Sequence, residues 1–505
     1  MNIRDAKSEV IHTIRAYTVK NEWGGYAIPA LRQRPLLLIG PPGIGKTAIM
    51  EQAANACGIG FVSYTMTHHT RQSAIGLPFI ERRNFDGREY AVTEYTMSEI
   101  IASVFRCIEE SGCHEGLLFL DEINCVSETL APAMLQFLQN KTFGSHRLPD
   151  GWILAAAGNP PEYNKSVREF DIATLDRLKY IEVEADYEAW RSYALEMNIH
   201  GAILAYLDAH HDRFYVLKQT YTEKAFVTAR GWEDLSCLLL QYEALDLPVT
   251  ADLIGQYLHF EELAQDFAGY YQLFAARKKA LPLAAMMQGE EDATQICRDL
   301  LHNASFDEKL NLVHLLLSAV GNELQDWKMQ LRQTELLRSL QDKLQRFLKQ
   351  QNYSELTNER TMEFLKKEQD ILFVRKEHGL SSDREIEEMQ RALYEMRTLF
   401  YQYQAETYLG THSAESFCCF SRQYETALWE YSLKLQCHLE NCIRLLADTD
   451  GAEFTLFLSS LEQNQTAQTF FRKCPSKLWS QYRKRLSFKT REEELRRKLL
   501  GNTAQ

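Results

Sequence analysis

Gly40-Pro41-Pro42-Gly43-Ile44-Gly45-Lys46-Thr47 lies between the apolar run Pro35-Leu36-Leu37-Leu38-Ile39 and the segment Ala48 to Cys57. The apolar run reads as a buried strand of a parallel sheet, and Ala48 to Cys57 reads as the helix after it. Between them stands G-x-x-x-x-G-K-T, a phosphate-binding loop (Walker A). Its glycines let backbone N–H groups close around phosphates at the positive end of a helix. Lys46 can then reach the β and γ phosphates, and the Thr47 hydroxyl can bind Mg²⁺. The expected nucleotide-contacting set is therefore Gly40, Pro41, Pro42, Gly43, Ile44, Gly45, Lys46, Thr47 and Ala48, with Asp121 joining from a second strand. The pattern implies a nucleoside triphosphate ligand.

That second strand is Leu117-Leu118-Phe119-Leu120-Asp121-Glu122, four apolar residues that end in two carboxylates, the Walker B pattern. A buried strand here delivers Asp121 to the magnesium, so Thr47 and Asp121 are the expected metal ligands. Glu122 is placed to orient and deprotonate an attacking water. A third buried strand, Trp152 to Gly158, ends at Asn159-Pro160, where an amide beside the Walker strands can hold the water or the γ phosphate. Ile172 to Lys179 reads as a short helix with Arg177 near its end, before a strand over Tyr180 to Val183.

Other segments fill in the nucleotide fold. Residues 3–17 read as a leading amphipathic helix. Ile59 to Thr65 reads as a strand, and Ser98 to Glu110 as a helix stopped by Gly112. Between them, Leu77 to Arg83 and Glu89 to Tyr95 flank Asn84-Phe85-Asp86-Gly87, a hairpin signal.

From Asp186 the alternation of strands and helices gives way to helical patterns. Leu324, Trp327, Leu331, Leu337, Leu340, Leu344 and Phe347 recur at three- and four-residue steps, consistent with a long helix or short coiled coil. Further helices are expected over Glu359 to Glu377 with a stop at Gly379, after a capping box of Ser382 and Glu385, over Phe417 to Leu446, and over Glu453 to Leu461. The stretch from Arg472 to Lys498 is rich in Lys and Arg.

At 505 residues the chain calls for two to four domains. The expected division is 1–185 for the nucleotide-binding core, 186–282 for a helical lid and 283–505 for a helical extension. The net charge of −13 argues against non-specific attraction to nucleic acid or anionic lipid. No apolar run approaches the length of a membrane span, and Met1 to Asp5 carries no secretion-signal core. The 11 cysteines show no zinc spacing. Buried free thiols in a reducing cytoplasm are the expectation, with Cys437 and Cys442 on one apolar stripe. The pairs His68-His69 and His210-His211 read as solvated or hydrogen-bonded rather than metal-binding.

The order of motifs resembles the AAA+ ATPases, and within them the MoxR-like group. The residues that carry the resemblance are the Walker A loop, Asp121-Glu122-Ile123-Asn124, the Gly76–Thr96 hairpin and Leu175-Asp176-Arg177. It covers residues 1 to about 282. The fold it implies is α/β: a three-layer core with a parallel sheet and phosphate-binding loop, followed by an α-helical lid, with 283–505 added as an all-α extension. The resemblance implies ATP and Mg²⁺ as ligands. It also makes Asn159 the sensor 1 residue, Arg177 an arginine finger reaching a neighbouring subunit's site, and Arg230 a sensor 2 residue of the same chain. Arg71 and Arg168 are weaker alternatives for cationic contacts.

The resemblance further implies a ring, a hexamer, that couples ATP hydrolysis to remodelling or chaperoning a protein client. That client is often a protein with a von Willebrand factor A domain. One alternative is a nucleic-acid translocase of the same inserted-hairpin group, which the acidic balance disfavours. Another is a non-hydrolysing ATP-gated scaffold, against which Glu122 and Arg177 argue.

Overall fold

The computed structural model describes the chain apart from residues 69–71, 73, 75, 144–145, 164–166, 220–223, 352–355, 378–382, 407–413, 421, 449–450 and 485–505. Arg71, Gly379, Ser382 and the basic stretch beyond Lys484 lie outside the described residues. Two compact units emerge. The first comprises the described residues of 1–189 with Thr228–Arg230 and Glu377, the second the other described residues.

In the first unit, β1 (Leu36–Ile39), β2 (Gly60–Thr65), β5 (Gly116–Asp121), β8 (Trp152–Gly158) and β9 (Lys179–Glu182) form one parallel sheet in the order β2-β5-β8-β1-β9. All four β1 residues are buried, as are the seven of β8. That is why these strands read as continuous apolar runs rather than alternating ones: both faces are covered. The covering helices include α1 (Ile3–Thr18), which packs on α2 (Lys46–Cys57), and α3 (Glu99–Ser111) beside β2. Asn2 caps α1 by accepting a hydrogen bond from the Asp5 amide at 2.9 Å. Gly112 takes φ 68° to end α3, a conformation favouring glycine. β6 (Thr142–Phe143) and β7 (His146–Arg147) form a short antiparallel pair, and β3 (Pro78–Phe85) and β4 (Arg88–Tyr95) form a separate antiparallel ladder. Its turn is the two residues Asp86 and Gly87, at φ 53° and 80°. Positive φ at both positions suits the tight hairpin turn for which Asp-Gly is selected. Ile172–Leu175 is one helical turn only, so Arg177 lies beyond it rather than in it.

The second unit is mostly helical, with one departure from the sequence expectation. β10 (Val216–Gln219) and β11 (Lys224–Val227) form an antiparallel pair where helical patterns were expected to dominate. Val227 is fully buried and the Phe226 ring packs at a tilt against His259, so tertiary packing overrides the weak local pattern. The helix expected over Phe417 to Leu446 is two, Ala414–Phe420 and Gln423–Ala447.

The axis of this unit is a single helix, Phe306–Gln350, whose 45 residues extend about 68 Å at 1.5 Å per residue. Ser305 and Glu308 close its start with a reciprocal capping box. Two apolar clusters use it in succession. Leu312 to Trp327 pack with residues of 435–479, and Leu336 to Leu348 pack with residues of 356–417.

Residues 190–282 and 283–505 are joined inside this unit. Buried Arg191 donates to both Asp208 oxygens at 2.7 and 3.0 Å, and also to Ser460 and Gln463 at 2.9 Å each. His314 Nε2 lies 3.1 Å from the same carboxylate. Burial pushes the Asp208 carboxyl up, but His314 and Arg191 outweigh it and hold the group well below the usual carboxylate range.

Of the thiols, Cys107, Cys297, Cys442 and Cys474 are buried, whereas Cys437 is exposed and does not share the stripe of Cys442. Five residues turn a helix through about 500°, which sets the two about 140° apart. Among the described residues, no helix is long and apolar enough to cross a membrane.

Candidate functional site

The candidate site gathers where β1, β5 and β8 end. Gly45 ends the loop at φ 92° and α2 begins at Lys46. Gly40 is required by crowding, because a Cβ there would lie 2.4 Å from the Val183 carbonyl oxygen. Gly43 combines φ 74° with a Cβ position 3.1 Å from Thr228.

Lys46 is buried, and its Nζ donates to Gly40 O (2.8 Å), Pro41 O (2.7 Å) and Asn159 Oδ1 (2.9 Å). Burial lowers its pKa to about 8; the nearby Arg230 charge adds to the fall, while Asp121 and Glu122 oppose it. The Thr47 hydroxyl donates to Asp121 Oδ2 at 2.6 Å. A hydroxyl and a carboxylate oxygen in contact at the end of the phosphate loop suit a hard cation that takes oxygen ligands and shares substrate phosphates. Magnesium fits that donor set.

Glu122 follows in the left-handed region at φ 55°, its amide on Asp121 Oδ1 at 2.9 Å. Thr67, just beyond β2, donates its hydroxyl to Glu122 Oε2 at 3.0 Å. Sequence reading missed Thr67, since a threonine after a strand belongs to no motif. β2 and β5 are neighbours in register up to Thr65 and Asp121, and this register was the signal that could have found it. Asn124 is also part of the site. Its Nδ2 donates to the Asn159 carbonyl oxygen at 2.8 Å.

Lys46, Thr47, Asp121, Glu122 and Asn159 thus come together. Arg230 approaches through its backbone, its amide donating to Gly43 O at 3.2 Å. Arg177 does not join them. It is exposed and precedes β9, whose first residue, Lys179, is registered with Leu36 at the start of β1. The phosphate loop leaves the opposite end of β1, about 13 Å further along at 3.3 Å per residue. Arg168 is engaged on the surface, its guanidinium 2.6 Å from Glu128. Such an exposed pair contributes about 0–1 kcal/mol.

Residues 35–178 match the family model of the AAA domain (dynein-related subfamily). The chain is also similar to a Lon protease of Leptospira interrogans serogroup Icterohaemorrhagiae serovar copenhageni (strain Fiocruz L1-130), at 29% identity over 153 residues. That alignment covers 29% of this chain and 16% of the relative. Both findings support an AAA+ ATPase. The family match spans four of the five strands of the parallel sheet, ending just before β9, and it contains every site residue named above apart from Arg230. The helical residues after 178 lie outside it.

Proposed function

We propose that this chain is a MoxR-like AAA+ ATPase that hydrolyses Mg·ATP in a ring of subunits, a hexamer, and uses the cycle to remodel a protein client. A partner bearing a von Willebrand factor A domain is the client class that the MoxR resemblance suggests. In this reading residues 186–282 act as the lid and 283–505 as an extension that serves the client or the ring.

The chemistry rests on the chain's own groups. The loop amides and Lys46 bind the phosphates, Lys46 exchanging its carbonyl contacts for phosphate oxygens. Asn159, already bonded to Lys46, lies where it can hold the γ phosphate or the attacking water. Glu122 takes the proton from that water. Magnesium, held by Thr47 and Asp121, supplies neutralisation of developing charge when bound.

The observation that carries the ring is the position of Arg177 just before β9, at the opposite end of the strands from Lys46. A guanidinium there serves a neighbour's γ phosphate rather than its own, and head-to-tail contacts of this kind close into rings. Mixing Arg177→Ala with Lys46→Ala, each almost inactive alone, tests it. ATPase activity should return in mixed assemblies, where an intact Lys46 site sits beside an intact Arg177. Absence of recovery after confirmed subunit exchange overturns the shared site.

A further inference from the structure

Asn124 is 5% exposed, and its side chain spans two strands of the site. It sits three residues past Asp121, in the short turn Ile123–Cys125 that follows β5, and its Nδ2 donates to the Asn159 backbone carbonyl at the end of β8. That acceptor fixes the amide's orientation, since a reversed amide would set two oxygens against each other. Its Oδ1 is buried without a hydrogen-bond partner among the described residues. The Asn124 carbonyl in turn accepts the Arg168 amide at 3.0 Å, which holds the turn on its far side.

The neighbouring glycine is shaped to this side chain. A Cβ at Gly158 would lie 2.4 Å from Asn124 Oδ1, 2.7 Å from Cγ and 2.9 Å from Nδ2, and these are its three nearest atoms. No side chain fits at position 158 while the Asn124 amide stays where it is. Gly158 also pairs with Ile39 in the ladder, and its carbonyl faces the Gly40 amide at 3.4 Å. The amide therefore ties the Walker B turn to the one backbone group from which the Asn159 side chain, and through it Lys46, is aimed.

We infer that Asn124 is a positioning residue for hydrolysis: it holds the Asn159 backbone so that the Asn159 side chain meets Lys46 and the γ phosphate, and Gly158 is glycine to admit it. This deepens the proposed function and rests on it for the word hydrolysis. A polar residue buried with one hydrogen bond made and one oxygen left unpaired is a poor choice for packing alone. A positioning role accounts for its presence, because a displacement near 1 Å at a reacting group can cost about 10²-fold in rate.

The test is a double-mutant cycle on the full chain, with Asn124→Ala, Gly158→Ala and the pair. Steady-state turnover, ATP affinity and the thermal midpoint are measured for each. Asn124→Ala should bind Mg·ATP within about threefold of wild type yet turn over about 10–100-fold more slowly. Gly158→Ala should do the same by displacing the amide. In the Asn124→Ala background the added Gly158→Ala should cost less than about twofold, because the atoms it strikes are gone. Turnover of Asn124→Ala within twofold of wild type overturns the positioning role, as do penalties that simply multiply in the pair. Wild-type protein that binds ATP without hydrolysing it would refute the proposed function instead. The contact would then be read from the thermal midpoints, where fully additive losses overturn it.

Discussion

Raising the pH from 7 to 9 should weaken Mg·ATP binding about tenfold, an effect a phosphate-loop lysine of ordinary pKa would not produce. Lys46 is buried and its pKa is lowered to about 8, from a usual 10.5. It is therefore about 90% charged at pH 7, half charged at pH 8 and about 10% charged at pH 9. Phosphates require the charged form, so binding must recharge whatever fraction is neutral. The predicted uptake at pH 8 is about half a proton per site, and the ratio of charged fractions between pH 7 and 9 is about ten, or about 1.4 kcal/mol. At the usual pKa the group would remain about 97% charged at pH 9 and affinity would barely change. Calorimetry in two buffers of different ionisation enthalpy, at pH 7, 8 and 9, measures both quantities. Lys141 is a built-in control, since burial also lowers its pKa to about 8, but it donates to the Ala30 carbonyl and touches no site residue named above. Affinity independent of pH, with no proton uptake at pH 8, would refute the argument that burial of Lys46 precedes and tunes phosphate binding.

Glu122→Gln keeps the side chain's size and its bond from Thr67 but removes the base, so ATP should bind and persist while turnover falls about 10²–10⁴-fold; single-turnover kinetics check it, and a change below twofold would disqualify Glu122. In the helical unit, Arg191→Met should destabilise by about 3–5 kcal/mol, because the buried Asp208 carboxylate loses the guanidinium that donates to both of its oxygens and keeps only His314. Denaturant unfolding should show most of that loss restored when Asp208→Leu is added, and a double variant no more stable than the single would show that the loss came from packing.

Much of the nucleotide core was legible because burial on both faces removes the polar alternation from its strands. Leu36–Ile39 and Trp152–Gly158 could be read only as covered strands, and the polar residues at their tips then had to be the chemistry. The Asp86-Gly87 turn was equally legible, since few sequences tolerate two positive φ angles in succession. The features missed are relations between distant residues. Thr67 acquires meaning only from the neighbour relation of β2 and β5, and Asn124, legible as the end of the Asp121–Asn124 motif, acquires its contact role only from the absence of a Cβ at Gly158. The β10–β11 hairpin has no turn signature between its strands and is held by what packs on it. The Arg191 clamp joins positions 17 and 269 residues apart, a separation no local pattern encodes.

One helix running through both apolar clusters of the second unit has a consequence for which insertions and deletions this chain can accept. Trp327 belongs to the first cluster and Leu336 to the second. Between them the helix acts as a phase clock: each residue added turns everything beyond it by about 100° and advances it about 1.5 Å. A single inserted residue would swing Leu336, Leu340 and Leu344 out of their core, whereas seven or eleven would return them to within about 20° of their present facing. Homologues that lengthen this segment should therefore do so in steps near seven or eleven.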